Sequence, residues 1–192
     1  MKRIIAATTA LSVLASPIGI VPVALSLPLF LSQCAGTNSP LTPAQVETDI
    51  SNAVDALAAG YQALVTANPT LFPLAQQQAV EGALAQASSL LADLMGAADA
   101  TSMAPIVQQI EAQLNIVISV AATIPLIPPP FSTALGAAAI LLPFIEQWLN
   151  SVLPASAKVS NGAEIMAARA RFAPPGMSLA AAEMALRAGA GK

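Results

Sequence analysis

Apolar residues recur every three or four positions along most of this chain, which is the spacing of one face of an α-helix. The clearest of these apolar stripes begins at Val46, and the residues before it mark the start of a helix. Thr42 is the capping residue, Pro43 stands at the first helical position, and Gln45 completes a capping box. Asn68 and Pro69 follow the stripe and predict where the helix ends. The stripe consists of Val46, Ile50, Val54, Leu57, Tyr61 and Leu64.

The same spacing predicts three further helices. The second runs from about Pro73 to Ala97, and its stripe is Val80, Leu84, Ala87, Leu91 and Leu94. After a turn at residues 98–102, the third covers about residues 103–123 and sets Ile106, Ile110 and Leu114 opposite Gln108, Glu111 and Asn115. The fourth follows Ser132 and covers about residues 133–153.

These helices predict an all-α protein whose main domain, residues 42–153, is a three- to four-helix bundle. A hydrophobic targeting segment (residues 1–34) and a linker (residues 35–41) precede the bundle. A basic tail with two short helices (residues 154–192) follows it. Helices this short are not stable alone in water, so they either dock on the bundle or stay partly disordered.

A run of 34 uncharged residues, 112–145, allows two interpretations. It is either the wide apolar face of helices buried in a bundle or a hairpin within a bilayer, with its tip at residues 125–130. The two arms of such a hairpin have 13 and 15 residues, whereas a spanning helix needs about 20. Four prolines at the tip would also leave carbonyl groups unpaired in hydrocarbon. We therefore favour the bundle.

The N-terminus has the pattern of an export signal or membrane anchor. Lys2 and Arg3 precede residues 4–33, which carry no charge. The apolar run ends at Leu31, Ser32 and Cys34, which resemble a bacterial lipobox, although Gln33 stands where a small residue is usual. The resemblance implies that Cys34 becomes an acylated first residue. Cleavage that leaves a free thiol and a retained anchor are the alternatives.

Charge is distributed unevenly along the chain. Between Cys34 and Ala157 there are eight acidic residues and no Lys or Arg, whereas five of the seven charged residues from Lys158 onward are basic. An acidic body repels phosphate and argues against nucleic-acid binding. The basic tail is expected to be solvated, or to contact anionic lipid, an acidic partner or the acidic body itself.

The residues with reactive side chains predict no enzyme, cofactor or metal site. There is no histidine, and Cys34 is the one cysteine. Lys158, near two serines, is expected to be a solvated loop residue, and Glu146 a carboxylate at the water boundary of a helix. Trp148 marks either a membrane interface or one end of the bundle.

The resulting functional hypothesis is a non-enzymatic, exported structural or interaction protein of the bacterial envelope. Its expected partners are membrane lipid, through the N-terminus, and a protein. There are two alternatives: a membrane-active or membrane-inserted helical hairpin protein of phage origin, and a carrier of apolar ligands.

The chain also resembles small alanine-rich, lipoprotein-like exported proteins of bacteria and their prophages, a group of unknown function. The segment from Leu31 to Cys34, the helices rich in Ala and Gln, and the proline-rich run at residues 125–130 carry this resemblance. It implies a location outside the cytoplasm and assigns no functional residues.

If Cys34 is acylated, the full chain fractionates with membranes, and Cys34→Ala releases it or blocks its processing. The physical reason is that acyl chains partition into the bilayer at about 0.8 kcal/mol per buried CH₂. The intact mass of the isolated chain measures the modification directly. An unmodified N-terminus beyond Cys34 would contradict lipid attachment.

Overall fold

The computed structural model describes residues 41–154 and 162–192. These residues form six helices and contain no strand, so the all-α fold class is confirmed for them. They all belong to one compact unit. The helices are α1 (Pro43–Ala67), α2 (Leu74–Met95), α3 (Ala100–Ala122), α4 (Phe131–Val152), α5 (Gly162–Phe172) and α6 (Leu179–Gly189).

Helix α1 begins where its sequence predicts. The Thr42 hydroxyl accepts a hydrogen bond from the backbone N–H of Gln45 at 3.3 Å. The Gln45 side chain accepts one from the backbone N–H of Thr42 at 2.9 Å, which completes the capping box. Two N–H groups at the helix start therefore gain partners that the helix itself does not provide.

Helix α3 begins at Ala100, earlier than the predicted start near residue 103. The Asp99 carboxylate accepts a hydrogen bond from the backbone N–H of Ser102 at 2.8 Å, and the Ser102 hydroxyl oxygen accepts one from the Asp99 N–H at 3.2 Å. This second capping box turns the predicted loop at residues 98–102 into the start of the helix. The bonds from Ser102 also lower the pKa of Asp99 because they stabilise its charged form.

Helix α4 lies among the other helices and is covered on nearly every side. It contacts α1, α3, α5 and α6, and all of its residues 134–142 are buried. Trp148, near the end of the helix, is buried as well. A helix that is surrounded in this way leaves little surface to water, which explains why its residues 134–145 are all apolar.

Among the described helices, α4 alone is long and apolar enough to cross a membrane. Yet 67% of its apolar window is buried inside the protein. The sequence allowed the apolar surface of this helix to contact either neighbouring helices or lipid. In the structure, neighbouring helices cover most of it.

The packing partners of α1 and α2 differ. Helix α2 packs chiefly against α3, whereas α1 packs chiefly against α4 and α6, and contact between α1 and α2 is sparser. The stripes predict that Leu57, Leu84, Leu91, Ile110 and Leu114 are buried between the first three helices. The structure buries all of them except Leu91. Leu91 is only partly buried, because it lines an open cleft between α1 and α2.

The predicted polar face of α3 was wrong at two positions. Glu111 and Asn115, one turn apart, are both buried. Helix α3 contacts α4 and α5 as well as α2, so more than one of its faces is covered. The Asn115 amide has no hydrogen-bond partner among the described residues.

The helices of the basic tail dock on the preceding helices. Helix α6 contacts α1 and α4, and α5 contacts α3 and α4. The Arg171 guanidinium, in α5, donates hydrogen bonds to the carbonyl oxygens of Ala122 and Ile124. These carbonyls lie at the C-terminal end of α3, where the helix dipole favours a cation. The sequence predicted that these helices either dock on the bundle or stay partly disordered, and in the structure they dock.

Gly136 allows the end of α5 to approach the backbone of α4. A Cβ atom at this position would overlap the carbonyl group of Phe172 and lie 3.0 Å from the Cα atom of Ala173. Both obstacles are backbone atoms, which cannot move aside as a flexible side chain can. Gly82, in the exposed middle of α2, is the opposite case, because a Cβ atom there would meet nothing within 4 Å.

We expect Gly136→Ala to lower the free energy of unfolding by about 1–3 kcal/mol, because it forces α4 and α5 apart. The matched change Gly82→Ala should raise it by about 0.5–1 kcal/mol, because it removes a flexible residue from a helix interior without a clash. Urea unfolding of the full chain, followed by helical circular dichroism and Trp148 fluorescence, measures both. A Gly136→Ala protein as stable as the wild type would show that α4 and α5 do not pack this closely.

Candidate functional site

An open groove runs between α1 and α2, where contact between the two helices is sparse. It has two segments, of about 420 and 480 Å³, and Ser88 lines both of them. On α1 it extends from Glu47 to Thr66, which corresponds to about 28 Å of helix. We call it the α1–α2 groove. Its lining residues are Glu47, Thr48, Ser51, Asn52, Asp55, Ala58, Tyr61, Gln62, Val65 and Thr66 of α1; Glu81, Leu84, Ala85, Ser88, Leu91, Ala92 and Met95 of α2; and Lys192.

A buried aromatic cluster fixes the floor of the first segment. Tyr61 meets Phe72 and Phe131 edge to face, with ring centroids 5.7 and 5.8 Å apart. Its hydroxyl donates a hydrogen bond to the carbonyl oxygen of Gln77 at 3.4 Å. Burial raises the pKa of Tyr61 to about 12, and the nearby Glu81 carboxylate adds to the rise. Tyr61 is therefore a rigid, neutral part of the floor.

The groove carries an excess of negative charge. Glu47 and Asp55 line it on α1, and Glu81 lines it on α2. The two helices supply no compensating cation, because they lie in the stretch of sequence without Lys or Arg. Such a groove attracts a positively charged ligand and repels an anionic one.

Lys192, which follows α6, is the one cation among the described residues that line the groove. Its Nζ atom lies 2.8 Å from Asp55 Oδ2 and 3.2 Å from Ser51 Oγ. The Lys192 and Asp55 side chains are 51% and 42% exposed, respectively. An ion pair this accessible to water contributes at most about 1 kcal/mol and exchanges readily.

Asp49 lies on another side of α1, beneath α6, where it is only 5% exposed. Together with Glu183 and Arg187 of α6 it lines a small pocket. Burial raises the pKa of Asp49 to about 6; Glu183 raises it further, and Arg187 opposes the rise. The polar residues around Glu47, Asp49 and Asp55 predict one water-facing side of α1. This prediction is wrong for Asp49, because α6 covers it.

Two of the residues that the sequence singled out lie outside the described structure, and the other two lie on α4. Cys34 and Lys158 lie outside the described residues. Glu146 is partly buried on α4, and Trp148 is buried near it. Across residues 41–154 and 162–192, no three acidic side chains are grouped so that they could hold a metal ion. The sequence pattern did not reveal the α1–α2 groove.

The chain matches no family model, no curated protein and no solved structure. Its similarity to alanine-rich exported proteins stays a prediction. What the chain does must therefore be inferred from its own residues.

Asp49 makes stability depend on pH. Its pKa in the folded protein, about 6, exceeds the ordinary value of 3.8, so the folded state binds the proton more tightly. The stabilisation from this group is complete below about pH 4 and is lost as the pH rises through about 6. We expect Asp49→Asn to match the wild type near pH 4 and to exceed it by roughly 1–3 kcal/mol at pH 8.

Urea unfolding of the full chain at the two pH values measures this difference. Asp93→Asn is the matched control, because it removes the same charge from an exposed position on α2. It should show no comparable gain at pH 8. If Asp49→Asn were no more stable than the wild type at pH 8, burial of the Asp49 charge by α6 would be disproved.

Proposed function

We propose that this chain is a non-enzymatic interaction protein of the bacterial envelope. In this proposal it is a helical bundle held at a membrane by its N-terminal targeting segment, and its α1–α2 groove binds an amphipathic helix of a protein partner. The observation that carries the proposal is the groove itself. It follows α1 for about 28 Å and has an apolar floor and an acidic rim.

The dimensions of the groove suit a helix. Its length corresponds to about 19 residues of helix at 1.5 Å per residue. Helices that bind in grooves do so through apolar anchors spaced three or four residues apart. Val65, Leu91 and the exposed Met95 offer apolar surface along the groove for such anchors. The acidic rim favours a partner helix with basic residues beside its apolar stripe.

The groove is formed before any partner arrives. Helix α2 is held by α3, and α1 is held by α4 and α6, so neither wall depends on contact across the groove. A site that needs no rearrangement keeps the entropic cost of binding low. A site formed in advance favours specific recognition.

The envelope location rests on the sequence. The basic start, the uncharged run of residues 4–33 and the cysteine at position 34 support export and attachment to lipid. Membrane lipid is accordingly the second proposed partner, and nucleic acid is not expected because the body of the chain is acidic.

The two competing functions have less support. A bilayer hairpin would turn α4 towards lipid, whereas most of this helix is covered by protein. A carrier of apolar ligands needs a site that buries most of the ligand. The α1–α2 groove is instead open to water and lined by exposed polar residues such as Gln62, Thr66 and Ser88.

Binding of a designed 18-residue amphipathic helix tests the proposal. The peptide carries one Leu stripe and four flanking Lys residues, and a matched peptide carries Glu in place of each Lys. Isothermal titration uses the full chain in zwitterionic nanodiscs, with empty discs as the blank. We expect the basic peptide to bind and the acidic one to bind at least tenfold more weakly, a difference of about 1.4 kcal/mol or more.

Two Trp variants locate the binding site. Ser88→Trp fills the point where the two segments of the groove meet, so it should weaken binding of the basic peptide about tenfold or more. Gln109→Trp places the same side chain at an exposed position on α3 and should leave binding unchanged. Equal binding of the basic peptide by Ser88→Trp and Gln109→Trp would overturn the proposed site. Absence of binding by the wild type would overturn it as well.

A further inference from the structure

The chain already places an ammonium group in its own acidic groove. Lys192 Nζ contacts Asp55 Oδ2 at 2.8 Å and Ser51 Oγ at 3.2 Å. Ser51 and Asp55 are one turn apart on α1, so both oxygens face the same point. A carboxylate and a hydroxyl at this spacing match the donors of a lysine ammonium group.

The position of Lys192 is set by α6. Ala182 and Leu186 of this helix are buried, and Gly189 lies close to Ala56 of α1. These apolar contacts hold α6 in place, whereas the Lys192 side chain beyond it is half exposed. The ammonium group can therefore leave Asp55 by rotation of its own side chain while α6 stays docked.

We propose that Ser51 and Asp55 form a lysine-binding subsite of the α1–α2 groove, for which Lys192 competes with a basic residue of the partner helix. The inference rests on the proposed function and names the chemistry of the partner: an amphipathic helix with a lysine at the position that reaches Asp55. Lys192 acts as an intramolecular competitor, so the groove favours partners that offer further contacts along it.

A purely structural role for Lys192 predicts a different outcome. If the ion pair only fastened α6 to α1, its removal would lower stability and would leave peptide affinity unchanged or weaker. If Lys192 occupies a binding site, its removal strengthens binding by the free energy of one exposed ion pair. For a pair of this kind the gain is about two- to fivefold in affinity.

Isothermal titration of the full chain with the basic 18-residue peptide separates these outcomes. Lys192→Ala is compared with Arg187→Ala, which removes the same charge from α6 at a position outside the groove. We expect Lys192→Ala to bind the peptide two- to fivefold more tightly than Arg187→Ala does. Equal or weaker binding by Lys192→Ala would overturn the inference, even where the groove binds the peptide.

Asp55→Asn tests the subsite by removing the carboxylate that accepts the ammonium group. It should weaken peptide binding and also abolish the difference that Lys192→Ala produces, because both cations then lose their acceptor. The control is Asp93→Asn, an exposed acid of α2 that does not line the groove. A Lys192→Ala effect that persists in Asp55→Asn would refute the shared subsite. If no variant bound the peptide, the groove function would fail and the subsite with it.

Discussion

Shielding the largely apolar helix α4 from water determines where the other helices lie. Helices α1, α3, α5 and α6 all contact it, and large side chains such as Phe131, Leu135 and Leu142 are fully buried. Each apolar side chain of this size contributes about 1.5–3 kcal/mol when it leaves water. Because the apolar face of α1 is used largely against α4 and α6, α2 packs on α3 instead. The α1–α2 groove is a direct consequence of covering α4.

The same constraint accounts for the uneven charge along the chain. Covering α4 brings the basic tail helices onto the acidic body, where three of their cations lie near negative or partly negative groups. Arg171 binds carbonyl oxygens at the end of α3, Arg187 lies near Asp49, and Lys192 pairs with Asp55. The sequence allowed the basic tail to be solvated or to contact anionic lipid, an acidic partner or the acidic body of the chain. These three residues of the tail lie against the body.

Local signals in the sequence predicted local structure well. Thr42 and Gln45 marked the start of α1 because a capping box involves only neighbouring residues. Asp99 and Ser102 carried the same signal for α3, but the prediction treated them as part of a turn. Tertiary packing was harder to predict: periodicity shows that a helix has an apolar face but not which helix covers it. For this reason the burial of Asp49, the exposure at Leu91 and the groove itself were not predicted.

Helix α6 is held by packing more than by charge. Burial under α6 raises the pKa of Asp49 and repulsion by Glu183 adds to the rise, whereas Arg187 attracts Asp49 and Lys192 attracts Asp55 in the groove. These electrostatic effects oppose each other across α1, so their net contribution to docking is small compared with the burial of Ala182 and Leu186. A charged contact that is not needed for docking can be exchanged without unfolding the helix. The Lys192–Asp55 pair is such a contact, and it lies inside the groove that we propose as the partner site.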